Sequence, residues 1–300
     1  MGGERQGAQE PVLVFLHIPK TAGTTLRRII RRQYPRGTVW ETDSNYFPPL
    51  SPEQYARLRV VQGHVMYGLH EQLPRPVRYI TVLRHPVERT LSAYYYVRRR
   101  PKDPLHALAH RLSPDEFSAE AGPHALNYQT RFLSGQPADL SAATLPLALR
   151  NLDEHIAFGL DSRFDESLLL FRRLLGWGSV HYRRENVTRG RPRGDEVEAR
   201  VIAAIERQNP LDMELYAHAE RRLEERLAAL EPGFQDELRR FRRRNALYGA
   251  TVGGIHRAYE ALPAPARDAV RRTIRLVRPI RLPQHAAAFA DPRESQRKDG

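Results

Sequence analysis

The segment at residues 17–26, HIPKTAGTTL, combines the residue types that hold a phosphate group. It follows an apolar run at residues 12–16 that is typical of a buried parallel strand, and it precedes a helical pattern. Backbone N–H groups at such a turn point at an anion, and the helix dipole favours that anion. The lysine adds a mobile positive charge and the threonines add hydroxyl donors. We predict that this loop binds phosphate through Lys20, Thr21, Ala22, Gly23, Thr24 and Thr25.

The order of residues in this loop differs from that of the Walker A loop, in which lysine follows the second glycine. Here Lys20 precedes Gly23. Lysine stands at three of the 48 basic positions, so a lysine in this loop stands out in an arginine-rich chain. Its compact ammonium can follow a moving bridging oxygen, whereas the guanidinium of arginine is a rigid planar fork. The alternative is that Lys20 is a surface residue after an edge strand.

A second motif, RHPVERTLSAY at residues 84–94, follows another apolar run at residues 77–83. Arg84 and Ser92 combine a charged fork with a hydroxyl, and this pair could clamp a second phosphate. Arg89 lies about one turn before Ser92. It could reach the same phosphate or brace the helix, and both alternatives stay open.

The two motifs together resemble those of sulfotransferases that use 3′-phosphoadenosine 5′-phosphosulfate (PAPS). The lysine loop is similar to the family's 5′-phosphosulfate loop, and the second motif to its 3′-phosphate element, Arg-x-Pro-x-x-Arg-x-x-Ser-x-Tyr. The likeness is strong over residues 12–97 and weak over residues 125–230, and it points to glycan O-sulfotransferases of the heparan 2-O and 6-O type. It implies transfer of a sulfuryl group from PAPS to an acceptor hydroxyl, expected on a carbohydrate, with PAP as product. One departure is His85, where the family usually has aspartate.

His64, in the segment VQGHV at residues 61–65, is the candidate base. It ends a predicted strand, and open α/β sheets bind ligands at the carboxyl ends of their strands. Histidine titrates near neutral pH and therefore suits removal of a hydroxyl proton. The resemblance implies the same role, because these glycan sulfotransferases carry a similar Gly-His-Val segment between the two PAPS motifs. The predicted catalytic residues are therefore Lys20 and His64, against the alternative that His64 is a packed structural histidine.

The resemblance gives weaker assignments outside the two motifs. Asn127 and Gln129 fall where relatives line the acceptor cleft, and residues 182–186 fall where relatives complete the nucleotide pocket. His17, directly before the phosphate loop, is expected to brace that loop.

The pattern of buried strands and amphipathic helices predicts an α/β fold with a P-loop-like parallel sheet flanked by helices and a helical C-terminal region. Residues 1–250 are predicted to form a single domain, and residues 251–300 a marginally helical to disordered tail. The segment at 35–52 is predicted to be a long loop. Strands are predicted at residues 12–17, 59–65, 77–83, 155–160 and 180–183. Helices are predicted at residues 24–34, 87–99, 140–152, 165–175, 195–208, 211–230 and 231–248.

Composition restricts the partners and the chemistry. The net charge of +13 calls for an anionic partner, which PAPS or a polyanionic acceptor would satisfy. Nucleic acid is not expected, because the arginines are scattered and no recognition motif is present. Without cysteine there is no thiolate chemistry, and His106 and His110 lack a third ligand, so no metal is expected.

The termini and apolar runs bear on location. No run is long enough for an integral membrane segment, and residues 1–10 lack the apolar core of a secretory signal. We expect a cytoplasmic protein of bacterial type. Two other functional classes stay open: a P-loop kinase or NTPase, and a non-catalytic protein that binds nucleotides or polyanions.

Overall fold

The computed structural model describes residues 10–42, 47, 49–136, 140–183, 197–230, 232–263 and 265–269. The strands within these ranges are β1 (Val12–Leu16), β2 (Val39–Thr42), β3 (Val60–Gly63), β4 (Val77–Leu83) and β5 (Ile156–Leu160). They form one parallel sheet in the order β2-β3-β1-β4-β5. The sheet confirms the predicted parallel α/β fold.

The strands are apolar because the sheet is covered. β1, with the sequence VLVFL, is buried along its whole length, and the last five residues of β4 are buried as well. A parallel sheet with helical crossovers loses both faces to the core, so its strands carry continuous apolar runs rather than an alternating pattern.

Helices connect and surround the strands, as the predicted pattern required. They are α1 (Gly23–Gln33), α2 (Pro52–Arg57), α3 (Pro86–Arg98), α4 (His106–Arg111), α5 (Pro114–Glu120), α6 (Tyr128–Ser134), α7 (Thr144–Glu154), α8 (Phe164–Leu175), α9 (Ala199–Gln208), α10 (Pro210–Ala228) and α11 (Gly233–Glu260). Short 3₁₀ turns lie at Leu69–Gln72, Gly122–His124 and Asp161–Arg163.

Two predicted segments are wrong. Residues 35–52 are not one loop, because they contain β2, a four-residue strand whose register is set by β3. Its half-exposed side chains and short length leave little apolar pattern to detect. Residues 180–183 do not form a strand and have no partner in the described sheet.

The connections of the sheet change direction between β1 and β4. The chain leaves β1 towards β2 and β3 on one side, and leaves β4 towards β5 on the other. Ligands of open α/β sheets bind at such a switch point, outside the carboxyl ends of the strands. Two hydrogen bonds fix this edge: Thr81 Oγ1 donates to the Leu16 carbonyl at 2.9 Å, and His17 N–H donates to the Gly63 carbonyl at 2.9 Å.

The chain divides into two compact units, Met1–Val252 and Gly253–Gly300. The first unit holds all the described strands. In the second, residues 265–269 are helical, and residues 270–300 of the predicted tail lie outside the described residues. No helix in the described ranges is long and apolar enough to cross a membrane.

Candidate functional site

The loop after β1 has the backbone geometry of an anion cradle. Lys20 and Ala22 adopt left-handed conformations, with φ of 73° and 64°, and α1 begins directly afterwards at Gly23. The Ala22 N-cap supplies no side-chain cap for the N–H groups of Gly23 and Thr24, whereas the Thr25 N–H donates to the Ala22 carbonyl at 3.0 Å. Successive N–H groups in such a turn converge on a negatively charged group.

The side chains of the loop divide into internal and outward positions. Thr21 is fully buried, and its hydroxyl donates to the Ile18 carbonyl at 2.9 Å. Thr24 is exposed and Thr25 is buried. Thr21 therefore stabilises the turn with its side chain, which leaves its backbone N–H for a ligand.

His17 packs beneath the loop and explains the glycine at position 23. A Cβ added to Gly23 would lie 1.8 Å from the Cδ2 atom of the His17 ring, so no larger residue fits. Burial first, and then the nearby His64, Arg27 and Lys20, lower the pKa of His17 to about 3. The imidazole is therefore neutral at physiological pH. Its packing against Gly23 supports the phosphate loop from below, as expected from the sequence.

Lys20 lies against α3, the helix of the second motif. Its Nζ atom is 3.8 Å from the centre of the Tyr96 ring, and the guanidinium carbon of Arg100 is 4.1 Å from the same ring centre. Ser92 lies four residues before Tyr96 and therefore on the same helix face. The structure thus brings the two predicted phosphate motifs together.

Arg84 provides a second connection between the motifs. Its Nη1 atom donates to the Lys20 carbonyl at 3.2 Å. Its remaining nitrogens form ion pairs at 3.2 Å with Glu88, one turn along α3, and with Asp161 at the end of β5. Nothing local in the sequence marks Asp161 as a partner of a residue in another turn, so only the fold reveals this ion pair.

The backbone of Arg84 is held by Gln129. The amide oxygen of Gln129 accepts from the Arg84 N–H at 2.9 Å, and its Nε2 donates to the Arg84 carbonyl at 2.8 Å. Gln129 is 1% exposed and Asn127 is 6% exposed. These two residues therefore support the site from behind, and the prediction that they line an acceptor cleft is wrong for their side chains.

Arg89 and Ser92 are both buried on α3. Arg89 is 1% exposed, donates to the Ala125 carbonyl, and has its guanidinium 5.0 Å from the centre of the Tyr128 ring. Burial lowers its pKa, and the charge of Asp212 opposes that shift. Of the two alternatives for Arg89, these contacts favour the brace. Ser92 is 6% exposed.

His64 directly follows β3, at the same sheet edge as the phosphate loop. The ring centres of His64 and His17 are 4.8 Å apart. The preceding Gly63 passes so close to β2 that an added Cβ would lie 1.4 Å from the Thr42 carbonyl oxygen. This close approach fixes the direction in which the chain enters His64. The two predicted catalytic residues, Lys20 and His64, therefore lie at the same edge of the sheet.

A cavity of about 480 Å³ begins two residues after His64. Its walls include Tyr67, His70, Arg150 and His155. The Tyr67 ring stacks on His155 with centres 6.0 Å apart and is tilted against His70 at 5.2 Å. Burial raises the pKa of Tyr67, so its hydroxyl stays protonated at neutral pH. The cavity therefore offers aromatic faces beside hydrogen-bonding groups.

The weaker nucleotide-pocket assignment at residues 182–186 is described only in part. Tyr182 is buried and its hydroxyl donates to Asp165 Oδ1 at 2.8 Å, whereas residues 184–186 lie outside the described residues. No group of three or more metal-ligating side chains occurs among the residues that the structure covers.

Comparison with known proteins agrees with this geometry. Residues 8–131 match the model of the sulfotransferase family. Human galactose-3-O-sulfotransferase 3 is 28% identical over 242 residues, covering 69% of this chain and 54% of the relative. Human heparan-sulfate 6-O-sulfotransferase 1 is 28% identical over 322 residues, covering 86% of this chain and 75% of the relative. Residues 8–131 are thus similar to the sulfotransferase family, and the chain as a whole is similar to these two carbohydrate sulfotransferases.

The likeness covers only part of these proteins. The chain spans about half the length of galactose-3-O-sulfotransferase 3. A crystal structure of mouse sulfotransferase SULT7A1 with PAP aligns at 18% identity and a TM-score of 0.36, covering 67% of this chain and 63% of that one. The fold assignment rests on the sheet of this chain itself.

Proposed function

We propose that this protein is a PAPS-dependent O-sulfotransferase that acts on a carbohydrate hydroxyl. The proposal is carried by the meeting of two phosphate-binding turns at one sheet edge. The ammonium of Lys20 lies against Tyr96 of α3, and the guanidinium of Arg84 donates to the Lys20 carbonyl. The names of the two human relatives support a carbohydrate acceptor.

The residues of this edge fit the charge pattern of PAPS. The uncapped start of α1 offers N–H groups for the 5′-phosphosulfate, while Gly23 lets the His17 ring pack directly beneath this turn. Arg84 carries two carboxylate partners in Glu88 and Asp161, and it can exchange one of them for a 3′-phosphate. Ser92 adds a hydroxyl from α3.

Sulfuryl transfer then divides the chemistry between two residues. The acceptor oxygen forms a bond to sulfur, and the bond between sulfur and the bridging phosphate oxygen breaks, leaving PAP. Lys20 stabilises the negative charge that develops on the bridging oxygen. His64 takes the proton of the acceptor hydroxyl and must be neutral to do so.

The cavity after His64 is our candidate for the acceptor. Tyr67 and His155 provide stacked rings for a sugar face, and His70 and Arg150 provide hydrogen-bonding groups for its hydroxyls or acidic groups. The cytoplasmic location and the bacterial origin stay predictions from the sequence.

The kinase alternative is weaker on chemical grounds. A P-loop kinase holds magnesium with an aspartate at a strand end and with a serine or threonine directly after its loop lysine. Here β4 is followed by Arg84, and the loop lysine precedes the glycine. Thr21 does follow Lys20, but its buried hydroxyl donates to the Ile18 carbonyl at 2.9 Å and is engaged inside the turn. If the protein only bound nucleotides or polyanions, the presence of both Lys20 and His64 at one edge of the sheet would be a coincidence.

Nucleotide binding and turnover together test the proposal. The full chain should bind PAP more tightly than ATP with magnesium, and should transfer radiolabelled sulfate from PAPS to galactose- or glucosamine-containing oligosaccharides. Lys20→Ala should lower turnover by about 10²–10³ with a smaller loss of PAP affinity. His64→Ala should lower it by about 10²–10⁴ and still bind PAP.

The exposed His124 provides a control, because His124→Ala should retain turnover. Tighter binding of ATP with magnesium than of PAP would favour a kinase. Binding of PAP without transfer to any acceptor would favour a non-catalytic protein. Near-normal turnover in a stable His64→Ala protein would remove His64 as the base, and His70 or Glu71 would be examined next.

A further inference from the structure

A second cavity, which we call the arginine cleft, lies between the C-terminal end of α8 and the first half of α11. Its volume is about 500 Å³, within the range of sites for small molecules. Four arginines line it, Arg172 and Arg173 from α8 and Arg240 and Arg244 from α11, together with a single carboxylate, Glu237. The cleft therefore carries an excess of positive charge.

That charge is compensated on one wall and not on the other. Arg172 and Arg173 both form ion pairs with Glu237. Among the described residues, Arg240 and Arg244 have no carboxylate partner, although their spacing of one helical turn places both guanidiniums on the same face of α11. Two adjacent unpaired guanidiniums in a concave site attract an oxyanion.

The floor of the cleft is aromatic. The His181 ring stacks on Phe241 with centres 5.3 Å apart, and Phe234 is also buried there. The Nδ1 atom of His181 lies 2.8 Å from the Ser179 hydroxyl, whereas its buried Nε2 atom has no hydrogen-bond partner within the described part of the chain. Burial first, and then Arg244, lower the pKa of His181, so the ring is neutral and Nε2 can donate a hydrogen bond.

The arginine cleft is separate from the edge of the sheet that carries the phosphate loop and His64, which we call the nucleotide edge. The phosphate loop meets the N-terminal end of α1, whereas the segment around His181 is held at the other end of α1, where Gln33 donates to the Ser179 carbonyl at 2.9 Å. An eleven-residue helix is about 16 Å long. A ligand in the arginine cleft would therefore occupy a different region from the predicted PAPS site.

We propose that the arginine cleft is a second binding site, for a compact ligand that carries sulfate, phosphate or carboxylate groups on a ring. Arg240 and Arg244 would bind the anionic groups and His181 would add a hydrogen bond. The aromatic floor would support the ring of the ligand. The inference does not depend on the sulfotransferase activity, because it rests on binding alone.

Calorimetric titration of the full chain with a disulfated disaccharide tests this site, with saturating PAP present to occupy the nucleotide edge. We expect binding in the presence of PAP, no binding of the unsulfated disaccharide, and a loss of at least about tenfold in the double variant Arg240→Ala/Arg244→Ala. Inorganic sulfate and phosphate, titrated separately, should bind more weakly than the disulfated disaccharide, and equal affinity would contradict the role of the aromatic floor.

The matched control is Arg239→Ala/Arg243→Ala, which removes the same charge from two exposed positions of α11 that do not line the cleft and should leave affinity within about twofold. Equal losses in both double variants would overturn the proposal, because they indicate general surface attraction. So would competition by PAP, absence of binding, or binding of only an RNA oligonucleotide or an anionic vesicle. Unfolding midpoints of the variants verify that the exposed substitutions leave the fold intact.

Discussion

At the scale of single residues, the site depends on contacts between side chains that are distant in the chain. Arg84 donates to the carbonyl of Lys20, 64 residues earlier, and the Tyr96 ring contacts both Lys20 and Arg100. A cation over an aromatic face is stabilised by about 0.5–1 kcal/mol at a partly exposed site. Tyr96 therefore limits where the lysine ammonium can lie before a nucleotide arrives.

Replacing Tyr96 tests this positioning. Tyr96→Leu should lower kcat by up to about fivefold, because the ring that positions Lys20 is lost, with little effect on PAP affinity. Tyr96→Phe keeps the ring and should retain kcat. Steady-state kinetics with PAPS give both parameters. Tyr95→Leu, on the neighbouring helix position, is the control, and an equal fall in that variant would point to a general effect on α3.

Arg84 and Ser92 are expected to recognise the 3′-phosphate. Arg84→Ala and Ser92→Ala should each weaken binding of PAPS, by about tenfold for the charged residue, and scarcely change binding of adenosine 5′-phosphosulfate, which lacks that phosphate. Titration with both nucleotides measures the difference. If both nucleotides weaken alike, the pair has a structural role, and the ion pairs of Arg84 with Glu88 and Asp161 become its main function.

His17 gives a prediction for stability against pH. Its pKa is about 3 in the folded protein and near 6.5 in the unfolded chain, so between these values the unfolded state binds more protons. Stability should therefore fall as pH drops below 6.5, by up to about 1.4 kcal/mol per pH unit from this group. His17→Phe, which keeps a ring but cannot titrate, should show a flatter acid limb in urea unfolding.

The comparison for that experiment is the exposed His124. His124→Phe should retain the acid limb of the original protein. A His17→Phe variant with an unchanged limb would show that other groups, such as the paired carboxylates, control acid stability.

At the scale of secondary-structure elements, two helices cap each other. Asp212, near the start of α10, accepts hydrogen bonds from the backbone N–H groups of Gln129 and Thr130 at 3.1 and 2.8 Å. In return, Asn127 Oδ1 accepts from the N–H groups of Leu211 and Asp212 at 3.0 and 3.2 Å. Each helix start thus receives its cap from the other helix. The arrangement sets Gln129 where it can hold the Arg84 backbone.

Removing one of these caps should affect both folding and the site. Asp212→Ala should lower the free energy of unfolding by about 3 kcal/mol, because buried N–H groups lose their acceptor. It should also weaken PAP binding through Gln129. Denaturant unfolding and nucleotide titration measure the two effects.

Asp236→Ala, an exposed carboxylate in the first turn of α11, is the matched control and should cost less than about 1 kcal/mol. Asn127→Ala combined with Asp212→Ala should cost less than the sum of the single changes, since both act on one network. Strict additivity would contradict reciprocal capping.

At the scale of the whole molecule, activity is expected to need no divalent metal. Lys20, Arg84 and the start of α1 supply the positive charge with which a metal would otherwise neutralise the nucleotide phosphates. The residue that follows β4 is an arginine rather than a metal-binding carboxylate. Transfer from PAPS should continue in excess chelator. Loss of activity that added magnesium restores would favour the kinase alternative.

The sequence by itself determined the parallel α/β fold and the two loops that we predict to bind anions. β1 and β4 are continuous apolar runs, and the loops that follow them carry lysine, glycine, arginine and proline at fixed spacings. These features are local, because buried strands and helix starts are specified by residues within a few positions of one another. A local pattern can therefore be recognised without knowledge of the rest of the chain.

The tertiary structure alone decided which residues surround those loops. Asp161 reaches Arg84 from another strand end, and Asp212 caps α6 from a helix more than 80 residues further on. β2 exists because β3 gives it a hydrogen-bonded edge, and Arg240 and Arg244 form a cleft only where α8 ends beside α11. Each of these contacts joins segments that the fold alone brings together. The energy of each contact depends on burial and on a partner from a distant segment of the chain. Short-range sequence patterns carry no information about either.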